Sequence, residues 1–404
     1  VDAVTPLGWV YLLVPFARVS PLGALNAARY LGAFSWIAAA TWLGSTMARE
    51  GKRLNWSALL LLVAPLGAWA SAGMETGLVM ALGATALVNH KAALLVVGVL
   101  AALRPELVPF CAILGLHHYW LLRATTRRAF FYVLIPLASC VFVALVRKTA
   151  FGSAVPLAAM AKPSDAAHGF RYSLGALLLT GPAWAWLGRG WARLDAKSRW
   201  LAVAVLVHFA TLVVAGGDWM PLWRLAVPVL PAMLWVAHGL VSQRSTIWQS
   251  AAGFVGLAIA AVIGWKVGLP ARHVMQARQT LIGRAAPLLN GAQLVAGLDI
   301  GWLGVATQSD ILDLAGITDT RVAALPGGHT TKKIPNSLFD FRKPDALVLL
   351  SAPAASLAPV WTDTPFARGV ENHVANLDYW QDCSVRGTVP LQHTRQFYVI
   401  VRCH

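Results

Sequence analysis

The sequence predicts a polytopic α-helical membrane protein that ends in a water-soluble α/β domain on the extracytoplasmic side. Three observations lead there. Of the 404 residues, 57% are hydrophobic and 12% charged, where a soluble domain carries about 25% charged residues. Apolar stretches of roughly 12 to 22 residues recur, separated by short basic clusters. After Leu269 the apolar runs shrink to strand length. Eighteen tryptophans suit a chain with many membrane–water interfaces. The net charge of +16 does not indicate a nucleic-acid partner, because most Lys and Arg sit in short loops, where they orient helices and meet anionic lipid.

Taken in order, residues 1–26 read as an outer-surface loop and juxtamembrane helix, with Thr5–Val19 lying in the interface and Trp9 and Tyr11 at headgroup level. Counting that segment as a span would invert every basic cluster after it. Residues 27–269 read as a transmembrane domain of about ten spans. These are Ala27–Ala48, Leu54–Ala72, Gly77–Asn89, Ala92–Leu103, Leu107–Leu122, Ala129–Val146, Tyr172–Leu187, Trp200–Ala215, Leu225–Val241 and Ser250–Gly268. The third and fourth are short and read as a hairpin of thin helices turning at Asn89, His90 and Lys91. With Lys52 and Arg53, Arg127 and Arg128, and Arg193, Lys197 and Arg199 placed in the cytoplasm, Ser71–Thr76, Arg104–Glu106, Lys148–Arg171 and Gly216–Arg224 face outward. Residues 270–404 form the α/β domain, with strands expected at Gln293–Asp299, Ala346–Leu350 and Phe397–Arg402. Its two cysteines, Cys383 and Cys403, are either a disulfide formed in an oxidising compartment or two thiols.

Polar residues beside apolar helices are the informative ones in such a chain. On this topology they gather on one side: Glu75, Arg104 and Glu106 flanking Pro105, Lys162, and Asp218 with Trp219 six residues before Arg224. Acids among bases between short helices describe a site for an anionic, partly lipidic substrate, with carboxylates as base or sugar ligand and Arg or Lys on phosphate. Each residue also has a plainer reading. Arg104 and Glu106 suit a local pair, Lys162 a snorkelling lysine, and Glu75 a favourable charge at a helix start. Asp218, between glycines and a tryptophan at a turn, is the hardest to read as structural.

Gly216-Gly217-Asp218-Trp219-Met220-Pro221, followed by Arg224 and Pro228-Val229-Leu230-Pro231, resembles the signature of a group of GT-C glycosyltransferases. These membrane enzymes use polyprenyl-phosphate sugar donors and include the terminal arabinofuranosyltransferases of actinobacterial cell walls. Gly73-Met74-Glu75-Thr76, Leu103-Arg104-Pro105-Glu106 and the loop from Phe151-Gly152 to Lys162 resemble further family segments. So do Asp299-Ile300-Gly301, the stretch Ile311–Asp319, His329 with Lys332 and Lys333, and Lys343-Pro344-Asp345. The resemblance implies a GT-C-like fold in the bacterial cytoplasmic membrane, a polyprenyl-phosphate sugar donor, a cell-envelope acceptor and contact with membrane lipid. Arg224 and Lys162, with Arg104 third, would then hold donor phosphate. Asp218 and Glu75 would bind hydroxyls, or a divalent ion if one is used; no other cofactor is implied. The family's catalytic aspartate lies in the first outer loop after a first helix, and this chain, opening at Val1, is expected to start downstream of both. Asp2 is not that position, so no catalytic base is named. The competing readings are a transporter or flippase of a lipid-linked or anionic solute, and a non-catalytic scaffold with the same fold.

Overall fold

The computed structural model describes residues 6–50, 67–88, 90–161, 165–218, 220, 222–242, 244–391 and 394–403. The predicted span Leu54–Ala72 lies outside these residues up to 66, as do Asp2, Lys52, Arg53, Lys162 and Trp219. The chain is mostly helical and divides into two compact units. A helical unit comprises Val4–Ala150 and Ser164–Leu269; a sheet unit comprises Val1–Ala3, Phe151–Pro163 and Pro270–His404.

In the helical unit, α1 (Leu7–Ala17) is the segment expected at the interface. Its Tyr11, Leu12 and Phe16 are exposed, but Trp9 is buried and donates its indole N–H to Gly73 O at 3.2 Å. Trp9 therefore anchors the helix to the protein and is not the headgroup-level ring expected. Next, α2 (Pro21–Arg49) starts with Ser20 as N-cap, its hydroxyl accepting the Gly23 N–H, and Pro21 at the first helical position. It crosses α3 (Thr76–Val88) backbone to backbone. A methyl group on Gly77 would collide with Gly32 O, which is the close approach that small residues permit between apolar helices. The thin hairpin is completed by α4 (His90–Leu103), which ends at Arg104-Pro105. There follow α5 (Val108–Leu122), α6 (Phe131–Phe151), α7 (Ala166–Leu177), α8 (Ala196–Ala215), α9 (Leu230–Val241) and α10 (Thr246–Ile263).

Among the described residues, four helical stretches are long and apolar enough to cross a membrane: Arg127–Phe151, Ala196–Ala215, Arg224–Val241 and Thr246–Lys266. The other expected spans differ for physical reasons. Gly77–Asn89 and Ala92–Leu103 correspond to short apolar helices. Tyr172–Leu187 is no continuous α-helix: α7 gives way to a 3₁₀ stretch at Leu178–Trp186. Gly181 and Pro182 fall inside that stretch, and a proline removes a backbone donor and clashes with the preceding turn. At the far end, a π-turn at Gly264–Gly268 carries α10 into α11 (Leu269–Leu289).

The sheet unit holds five strands: β1 (Leu294–Gly297), β2 (Asp310–Asp313), β3 (Ala346–Leu350), β4 (Ser384–Pro390) and β5 (Phe397–Arg402), in the order β2-β1-β3-β5-β4. β1 runs parallel to β2 and β3, whereas β5 is antiparallel to β3 and β4. Along β3 the period of two sorts side chains cleanly. Leu347 and Leu349 enter a core with Phe339, Trp380 and Val399, and Ala346 and Val348 enter another with Val295 and Ile400. Leu281, Ala285 and Leu289, one turn apart along α11, close the second core. β2 and β4 were not read from sequence. Cys383 and Cys403 form a disulfide that staples the open end of the β4–β5 ladder, where Ser384 pairs with Arg402.

A bridge spanning 20 residues constrains the unfolded chain by about 3 kcal/mol. The double variant Cys383→Ser/Cys403→Ser should lower the protection of β4 and β5 amides against hydrogen exchange by about that amount. Reduction of the wild-type protein should do the same and should leave α8 amides unchanged.

Candidate functional site

Two arginine-centred groups of ion pairs form where short helices of the helical unit break. Glu75 stands at the start of α3, after a left-handed Gly73 at φ 92°. Arg104 follows α4 and Glu106 lies in the 3₁₀ turn Pro105–Leu107. Arg104 is buried and donates one amino group to Glu75 and the other to Glu106 Oε1 at 2.9 Å. The second follows α8, where Arg224 Nε donates to Asp218 Oδ2 at 2.9 Å. Arg104 also lies within electrostatic reach of Asp218, so the pairs form one cluster. Two arginines against three carboxylates leave one net negative charge.

The turn carrying Asp218 and Arg224 is unusual in its backbone. Gly216 and Gly217 take φ of 87° and 71°, a conformation glycine adopts freely. Leu222 and Trp223 take φ of 62° and 45° without that freedom. Such residues cost about 1–3 kcal/mol each and gather at functional turns. Contacts from two helices, α7 and α8, hold this turn in place. His168 of α7 donates Nε2–H to Asp218 O at 3.1 Å. The Tyr172 hydroxyl accepts the Leu225 N–H at 2.9 Å. His208 of α8 is fully buried between both charged turns, with Nε2 at 2.9 Å from Leu225 O, the shorter contact and the one its N–H serves, and Nδ1 at 3.3 Å from Glu106 O.

These contacts revise the roles expected from sequence. Arg104 was ranked third for phosphate, but Glu75 and Glu106 occupy both of its amino groups, so it organises the turns. Glu75 also meets Arg104 through Oε1, and it is the more deeply buried of the two acids, 4% exposed against 18% for Glu106. Among the described residues no group of three or more His, Cys, Asp or Glu is arranged to hold a metal ion, and Asp218 and Glu75 each face an arginine. Arg224 keeps capacity. Apart from the bond to Asp218, its one side-chain hydrogen bond among the described residues is from Nη1 to Met74 Sδ at 3.7 Å, so Nη2 has no hydrogen-bond partner among those residues. Among the described residues, Asp218 Oδ1 accepts only a long bond from Met220 N at 3.4 Å. His168, Tyr172 and His208 were not read from sequence, although a histidine within an apolar helix, such as His208, is the signal that could have found them.

In the sheet unit, the residues that carry the family resemblance do structural work. Asp313 accepts Ala315 N–H and Thr318 N–H and O–H, closing the turn after β2. Lys332 is buried and donates to Ala323 O and Leu325 O. Asp345 accepts the N–H groups of Gln293 and Leu294 at the start of β1. Asp299 accepts both amino groups of Arg368 and the Tyr398 hydroxyl at 2.7 Å, while Arg368 also grips Glu371. Burial would raise Asp299, but the hydrogen bonds and charge of Arg368 outweigh it and hold the carboxyl below its usual value. Glu371 goes the other way: burial wins over Arg368 and raises it. Burial and the adjacent Asp299 push Tyr398 up to about 12.

Replacing Arg368 by Met leaves two carboxylates without their partner, at a cost of about 3 kcal/mol at pH 7. Because the folded pKa of Asp299 is depressed, its contribution is present above the unfolded value and is lost as pH falls below about 4. Glu371 is raised, so its ionisation opposes folding and protonation relieves it. Acidifying Arg368→Met from pH 7 to 5 should therefore narrow its deficit relative to wild type, read as hydrogen-exchange protection of β1 and β3. A deficit that stays constant over that range would show that the ionisation of the two carboxylates does not depend on Arg368.

Comparison with known protein families, curated proteins and solved structures finds no match to the chain.

Proposed function

We propose that the protein is a membrane glycosyltransferase of GT-C-like fold that moves a sugar from a polyprenyl-phosphate donor to a cell-envelope acceptor, on the outer side of a bacterial cytoplasmic membrane. The observation that carries this reading is the Asp218–Arg224 pair on a strained turn, with Arg224 holding an uncommitted amino group. The four apolar helices are compatible with a membrane location and supply the hydrophobic surroundings that a lipid tail requires.

In an inverting transfer the acceptor oxygen bonds to the anomeric carbon and gives up its proton, while the bond from that carbon to the phosphate oxygen breaks. Polyprenyl phosphate leaves with the electron pair. Arg224 is placed to meet the charge that develops on the leaving phosphate, which is the larger electrostatic share of such catalysis. Asp218 fixes the guanidinium through Nε and offers Oδ1 to a sugar hydroxyl. Glu106, paired through Oε1 alone, is a second hydroxyl ligand. Arg104, Glu75 and His208 hold the two turns at their separation. Lys162 keeps the phosphate role suggested by the resemblance, and Trp219 stays a substrate-binding candidate beside Asp218. No residue of the chain is assigned as the base.

The test supplies the protein in detergent with radiolabelled polyprenyl-phosphate sugars and measures release of polyprenyl phosphate. One donor should be cleaved, and Arg224→Met should lower kcat/KM about 100-fold, the loss of one preorganised donor to a developing charge. Asp218→Asn should act in the same direction. Absence of release from every donor by folded protein, or release indifferent to both variants, would sink the proposal. Movement of an intact lipid-linked solute across proteoliposomes would favour the transporter instead.

A further inference from the structure

The sheet unit contains a cleft of about 720 Å³ that none of the residues assigned above uses. That volume falls within the roughly 300–1,000 Å³ of small-molecule sites. Phe151, the last residue of α6, and Ser153 just beyond it form one wall. The other is formed by the turn Thr318–Arg321 and by Phe341 and Arg342, which end the short helix Asn336–Arg342.

The charge of this cleft balances. Asp310 and Asp319 meet Arg321 and Arg342, two of each sign. Arg342 Nη1 donates to Asp319 Oδ2 at 3.1 Å, and Asp319 Oδ1 accepts the N–H groups of Arg321 and Val322. The carboxylate is thus locked from the backbone side, and it in turn holds the Arg342 guanidinium. Arg321 lies 4.2 Å over the Phe341 ring, and that ring remains 65% exposed. Thr318, Thr320 and Ser153 add hydroxyls.

A cleft without net charge does not select phosphate or an acidic peptide. Fixed planar donor–acceptor pairs suit vicinal hydroxyls, and exposed aromatic rings suit the C–H faces of sugars. We infer that this cleft binds a neutral glycan chain, with the Asp319–Arg342 pair reading hydroxyls and Phe341 stacking on a sugar ring. Naming that glycan as the acceptor rests on the glycosyltransferase reading; binding does not.

The experiment titrates the full chain in nanodiscs with neutral linear gluco-, galacto-, manno- and arabino-oligosaccharides, followed by saturation-transfer NMR, with inorganic phosphate as the charged control. At least one oligosaccharide should bind and phosphate should not displace it. Phe341→Ala and Arg342→Met should each weaken binding about tenfold or more, while Val360→Ser, an exposed change elsewhere, should not. Phe341 is exposed, so its truncation leaves the fold intact. The inference is overturned if no oligosaccharide binds at about 10 mM, if phosphate competes, or if neither variant weakens binding. Donor cleavage without glycan binding removes the cleft and leaves the enzyme; glycan binding without donor cleavage does the reverse.

Discussion

A charge buried among apolar helices is tolerated only when it is paired and hydrogen-bonded, because removing it from water costs several kcal/mol. Arg104 meets that demand through its two amino groups, which reach Glu75 at one helix start and Glu106 at the next helix break, while its buried Nε has no hydrogen-bond partner among the described residues. Much of the local architecture follows. The pairing fixes the end of α4 against the start of α3, and Glu106 O in turn lies beside His208, whose other nitrogen reaches Leu225 O. Leu225 directly follows Arg224. Charges are thus placed by other charges through two turns, and the Asp218–Arg224 pair inherits its position from the Arg104 cluster.

Close helix crossings bring these turns together. Gly77 lies against Gly32 O, and Gly83 against Pro228 O, where a side chain would force the helices apart. Gly169 faces the carbonyls of Leu212 and Val213 in the same way, which brings α7 and its His168 and Tyr172 to the end of α8. The left-handed Leu222 and Trp223 persist because the surroundings over-determine them. Trp223 packs its ring on Gly175, and the Tyr172 hydroxyl holds the amide that follows Arg224.

What the sequence made legible divides along the same physical line. β3 was visible because Ala346–Leu350 is a continuous apolar run buried on both faces, and β5 because Phe397–Arg402 is apolar in the same way. β2 begins and ends in aspartate, and β4 is a polar edge strand with one buried residue, so neither carries a strand signal. The apolar run Tyr172–Leu187 outweighed the Gly181-Pro182 break within it, although local chemistry forbids a regular helix there. At the site, Asp218 and Arg224 are six residues apart, and their partnership could be read from their turn. Glu75 and Arg104 are 29 residues apart, so their pairing is a tertiary fact that no local pattern encodes. That is why Arg104 passed for a substrate ligand. The same limit hid the cleft of the sheet unit, whose walls lie more than 150 residues apart in sequence.

The organising role of Arg104 is most directly tested by a double-mutant cycle on folded stability with Glu75→Gln, Arg104→Met and the two combined. If the buried pair holds the turns, each single change costs about 3 kcal/mol and the double variant costs at least about 2 kcal/mol less than their sum. Additivity within about 0.5 kcal/mol, or an Arg104→Met protein as stable as wild type, would mean that the two residues act separately and that Arg104 is free to serve as a ligand.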